Sequence, residues 1–125
     1  MAIKGIEPQS SGEIEISGTW AEIIFIPDLV TDERFNIGVC FKETKHGEFH
    51  YRLASSLDKL SVIYGKQSIE QFRFLLKCAD ESFALHGDTT RFSPHVTLGR
   101  YRPAAGVSIP EILDDLFDRM VTIAR

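Results

Sequence analysis

The chain has 125 residues, 43% of them hydrophobic and 26% charged, the proportions of one globular domain able to bury an ordinary core. Its 14 basic and 18 acidic residues leave a net charge of −4, which disfavours nonspecific nucleic-acid binding, because that affinity comes mainly from neutralising phosphates. The two cysteines, Cys40 and Cys78, have no zinc-like spacing with each other or with a histidine, and read as buried free thiols in a reducing cytoplasm.

Residues 1–12 have the mixed, turn-rich character of a loose tail, and the alternation in Glu13 to Ser17 predicts a short edge strand with outward acids. No apolar run approaches the length of a membrane span, and no basic start leads into a signal-like stretch, so a cytosolic location is expected. Trp20 to Ile26 is nearly all apolar and reads as a buried strand stopped by Pro27. Asp28 to Arg34 connects it to a second strand, Phe35 to Phe41. There Phe35, Ile37, Val39 and Phe41 alternate along one face, and the small residues Asn36, Gly38 and Cys40 line the other. Small residues on a strand suggest close packing over that face too, and a helix, Ser68–His86 or Ile109–Ile123, is expected to seat there. Gly47 turns the chain into a third strand, in which Phe49, Tyr51 and Leu53 alternate with His50 and Arg52.

After Ala54 the period changes. Ser56 can cap a short helix carrying Leu57, Leu60 and Ile63 and ended by Gly65. Ser68, with Gln71 placed for a capping box, opens the longest helix, whose stripe is Ile69, Phe72, Leu75, Leu76, Ala79 and Phe83, and Gly87 closes it. Phe92 to Tyr101 reads as a fourth strand and Pro103 to Val107 as a loop. Ser108 and Glu111 make a second capping box, with Pro110 tolerated in the first turn, before a helix that points Ile112, Leu113, Leu116, Phe117, Met120 and Val121 one way. The expected fold is α+β: a mainly antiparallel sheet of four to five strands with the helices packed on one face. An N-terminal tail with an edge strand over 1–19 precedes a single domain over 20–125.

The run Trp20-Ala-Glu-Ile-Ile-Phe-Ile-Pro-Asp28, followed by Glu33-Arg-Phe-Asn-Ile-Gly-Val39, resembles the opening of the bacterial family numbered 3037 among the domains of unknown function. The likeness continues through Phe49 to Leu60, the helix from Ser68, and the leucine- and phenylalanine-rich end from Ile112 to Val121. Similar proteins are often encoded beside HipA-like kinases. The resemblance therefore implies a protein partner, such as a kinase of that kind, and a regulatory or interaction module; it carries over no catalytic activity. Size and acidity also fit a regulator from a phage or mobile element.

Candidate chemistry centres on Phe92-Ser-Pro-His-Val-Thr-Leu-Gly-Arg100, which resembles the second His-x-Thr motif of the two-histidine phosphoesterases. In a strand His95 and Thr97 share a face, so an imidazole and a hydroxyl could reach one phosphate, with Arg100 beside them. Action on RNA ends or cyclic nucleotides is the implied alternative function. That chemistry uses two such dyads, one histidine as base and one as acid. Here the other histidines, His46, His50 and His86, have no Thr or Ser two residues on. Pro27-Asp28 with Glu43-Thr-Lys45 matches the letters of a metal-dependent nuclease, but strand geometry puts Asp28 and Glu43 at opposite ends of a hairpin. Asp28 and Glu33 in the connecting loop, where acids more commonly bond their own backbone, Asn36 beside Gly38, and Arg91 and Arg102 in a basic and aromatic patch with Tyr101 and Phe92, are the remaining binding candidates. No metal site and no cofactor is expected, and no phosphate-cradling glycine loop is present.

Overall fold

The computed structural model describes residues 15–89 and 93–124. Strand β1 (Ile16–Phe25) is followed by β2 (Phe35–Glu43) and β3 (Phe49–Leu53). A 3-10 turn leads into the short helix α1 (Ser61–Tyr64), and a second into α2 (Ile69–His86). Then come β4 (Val96–Leu98), β5 (Arg102–Gly106) and α3 (Ile109–Met120). The five strands form one antiparallel sheet, ordered β3-β2-β1, with β4 and β5 sharing the other edge of β1. The α+β class and the antiparallel sheet are as expected. Among the described residues no helix is long and apolar enough to cross a membrane.

The helices, expected on one face, divide between the two. Phe72 of α2 meets Phe25 edge-on at 5.1 Å, and Phe83 packs on Phe49 and Tyr51 at 6.0 and 5.6 Å. Arg52, the next residue after Tyr51, instead lies over Phe117 of α3 at 4.3 Å and pairs with Asp114. Successive strand residues point to opposite faces, so α2 and α3 flank the sheet like two slices. The cause is legible in β2, where five successive residues, Ile37 to Phe41, are buried. A strand with both faces dry needs a cover on each.

The expected single apolar face of β2 is also broken, by a bulge. Ile23 pairs with Gly38 but Ile24 with Asn36, leaving Ile37 as the extra residue. Phe35 consequently joins Phe25 on the α2 side, edge-on to Tyr64. Val39, paired with Arg52, and Phe41, paired with Trp20, lie on the α3 side. The small residues separate likewise: Cys40, paired with Tyr51, shares the α2 face with Gly38, whereas Asn36 reaches α3. Both expected helices therefore have a seat on this strand.

Two further expectations change. Ile16 and Ser17, expected in a separate edge strand, begin the central strand β1, paired with β5 on one side while β2 joins at Gly18. Gly18 allows this, since a Cβ there would run into the Lys42 carbonyl and the Phe41 ring. Glu13 and Ile14 lie outside the described residues. The expected fourth strand is two, β4 and β5, and β5 runs through the Pro103 segment read as a loop. Proline is tolerated there because β5 has a free outer side on which a missing N–H costs no ladder bond.

The helix ends differ from each other. Ser108 accepts a hydrogen bond from the Glu111 amide with extended backbone, as a capping residue should. Ser68 does not cap α2: a 3-10 turn over Lys66–Ser68 already gives it helical dihedrals, and its hydroxyl donates back to the Gly65 carbonyl at 2.6 Å. The short helix after Ser56 ends at Gly65 as expected, but Ile63 is exposed and Tyr64 supplies the packing, against Phe35 and Phe72.

Candidate functional site

The connecting loop after β1 is held by its own acids. Asp28 accepts from the Val30 amide through Oδ1 and from the Asp32 amide through its carbonyl, which lets Asp32 adopt a positive φ of 59°. Glu33 accepts from the Tyr64 hydroxyl at 3.1 Å, tying the loop to α1. Asn36 donates its side-chain amide to the Met120 carbonyl at 3.2 Å, satisfying an otherwise orphaned group at the end of α3. All three binding candidates thus have a structural partner. Glu43 pairs with Gly18 at one end of β1 and Phe35 with Phe25 at the other, so Asp28 is roughly 23 Å or more from Glu43 at ~3.3 Å per residue.

His95 precedes β4. Its Nδ1 lies 2.6 Å from the Ile26 carbonyl and its own carbonyl accepts from the Ile26 amide at 2.7 Å, so Nδ1 carries the proton and Nε2 is the open nitrogen. The ring lines a cleft of about 490 Å³ with Asp28, Tyr64, Gln67, Gln71 and Phe72. Thr97 lines a different cleft, of about 510 Å³, with Asp88 and Tyr101. Arg100 is exposed between β4 and β5. Among the described residues no other histidine lines either cleft. Arg102 lies over the Trp20 ring at 4.0 Å and donates to Glu22 at 2.5 Å, so its charge is matched within the fold. Arg91 lies outside the described residues.

Beneath the second cleft is a polar cluster that sequence reading missed. Asp88 accepts from Lys42 at 3.0 Å and from the Tyr101 hydroxyl at 3.4 Å, and Tyr101 in turn meets the Cys40 thiol at 3.9 Å. Burial pushes Cys40 up to about 11, and burial with the neighbouring thiol and carboxylate holds the Tyr101 phenol above its ordinary range. A thiol kept protonated is a poor nucleophile and a poor metal ligand. Among the described residues no group of three or more His, Cys, Asp or Glu is placed to hold a metal ion.

A groove of about 970 Å³ runs along β3, on the side away from β2. Its floor is Tyr51 to Ser56 and its far wall the α2 stripe Arg73, Leu76, Lys77 and Asp80, spaced three to four apart as one helix face requires. Arg73 grips Asp58 through two nitrogens, at 2.6 and 3.2 Å, which holds that carboxyl below its usual value. Asp80 accepts from the Tyr51 hydroxyl at 2.8 Å. Burial and that carboxylate raise the phenol to about 12. No protein-family model matches the chain, nor does any curated protein or solved structure.

Proposed function

We propose that this chain is a bacterial protein-interaction module with a regulatory role, and that its partner is a HipA-like kinase encoded beside it. The observation that carries the interaction function is the edge of β3, unpaired among the described residues, which ends the sheet beside a groove with both apolar and charged walls. Such an edge offers a partner backbone hydrogen bonds and side-chain contacts together. The kinase as partner rests on the family resemblance of the β1–β2 hairpin. Two free cysteines favour a reducing, cytoplasmic setting. Phosphodiester chemistry is less favoured, because it needs its imidazole and hydroxyl at one phosphate, and His95 and Thr97 open into separate clefts.

Co-expression with the product of the adjacent gene, followed by size exclusion, tests this function. The expected result is a stoichiometric complex that survives the column. Separate elution of the two proteins at micromolar concentration contradicts it.

A further inference from the structure

On the interaction function just proposed, we infer that the outer edge of β3 takes an extended segment of the partner as an added strand. That segment carries an acidic side chain opposite Leu53 and apolar side chains two residues away.

The backbone sets the register. The Ala54 amide donates to Ile37 and the Glu43 amide to Glu48, so the hydrogen-bonded positions of β3 toward β2 are Glu48, His50, Arg52 and Ala54. Tyr51 and Leu53 then aim both N–H and C=O outward, into the groove that both residues line. An added strand pairing with these groups places its residues opposite Tyr51 and Leu53 on the same face as those side chains, which is the α2 face.

The wall of α2 sets the chemistry. Of its charges, Arg73 is paired with Asp58 and Asp80 is bonded to Tyr51, whereas Lys77 has no ion-pair or hydrogen-bond partner among the described residues. Phe49 meets Phe83 and Tyr51 meets Asp80, so β3 and α2 run alongside in opposite directions, and the next step along brings Lys77, three residues before Asp80, close to the level of Leu53. A carboxylate opposite Leu53 completes the row of opposite charges. A flanking apolar side chain covers the half-buried Tyr51 ring. A second copy of this chain is the poorer occupant: its own β3 offers Phe49, Tyr51 and Leu53 on that face, with no carboxylate for Lys77.

The test is an amide-resolved NMR titration of the protein with the blocked peptide Thr-Val-Thr-Glu-Thr-Val-Thr, repeated with lysine replacing the glutamate. The expected result is saturable shifts led by the Tyr51 and Leu53 amides. Binding should weaken about tenfold for the lysine peptide, weaken equally for Lys77→Glu with the original peptide, and recover when both changes are combined. Lys77 is exposed, so the variant keeps the fold. No saturable binding, affinity indifferent to the charge swap, or shifts confined to the outer side of α2 around Phe74 and Leu85 overturns the inference. Shifts at Tyr51 and Leu53 that follow protein concentration without peptide also overturn it, in favour of a second copy. If Lys77→Glu still co-elutes unchanged with the adjacent gene product, the groove assignment fails while the interaction function stands. Separate elution of the wild type removes the function itself.

Discussion

Cys40 shows how much a single buried side chain sets the chemistry of this molecule. It is fully buried, and its thiol is pushed from 9.0 to about 11, chiefly by loss of water. Above pH 9 the unfolded chain releases this proton while the folded chain keeps it, so stability falls as pH rises from about 9 to 11, by roughly 2–3 kcal/mol. Tyr51 and Tyr101, both raised, act in the same direction at still higher pH. Urea unfolding at pH 8 and pH 10.5 should show this loss in the wild type and a smaller one in Cys40→Ala, whatever the variant's starting stability. An equal loss in both assigns the effect elsewhere. Gly38 is a second residue with no freedom to change. A Cβ there would stand 2.5 Å from the Arg52 carbonyl, in the middle of the β2–β3 ladder. Gly38→Ala should destabilise by about 2 kcal/mol in the same assay, the cost of overpacking a rigid core.

At the scale of elements, the two long helices begin with the same letters and different physics. Ser108 caps α3, so Ser108→Ala should cost about 1 kcal/mol of stability by urea titration. Gln71, at the matching position after Ser68, is exposed in a box that does not form, and Gln71→Ala should stay within about 0.5 kcal/mol. The sequence motif is one; the preceding 3-10 turn decides between outcomes, and nothing in Ser68-Ile-Glu-Gln71 announces that turn. The bulge at Ile37 is a similar case. Strict alternation from Phe35 to Phe41 reads as one apolar face, yet one extra residue moves Phe35 to the other side. The sandwich was nevertheless half visible, since small residues at Gly38 and Cys40 called for a cover on their face while the apolar side called for another. β5 was invisible because Pro103 and its small neighbours carry no strand pattern; only the free length of β1 recruits them. The turn-bracing role of Asp28 was legible, since acids in turns commonly bond their own backbone, whereas the reach of Glu33 to Tyr64 was not. The groove was not, because an edge exists only once strand order is fixed, and strand order depends on pairings far apart in sequence.

At the scale of the whole molecule, four basic side chains are matched within the fold: Arg102 on Glu22 and Trp20, Arg52 on Asp114 and Phe117, Arg73 on Asp58 and Lys42 on Asp88. The sheet closes its two sides unequally. The β1 side is shared by two short strands, one carrying Pro103, a residue that guards edges against unwanted pairing. Among the described residues the β3 side lies open along a groove. An unpaired edge presents a row of N–H and C=O groups that another chain can use. Amide hydrogen exchange on the free protein and on its complex with the adjacent gene product tests that use most directly. In the free protein Arg52 and Ala54, whose amides face β2, should exchange slowly, and Tyr51 and Leu53 fast. In the complex Tyr51 and Leu53 should slow by about tenfold or more. Protection of Tyr51 and Leu53 that is the same with and without the partner would contradict a functional β3 edge.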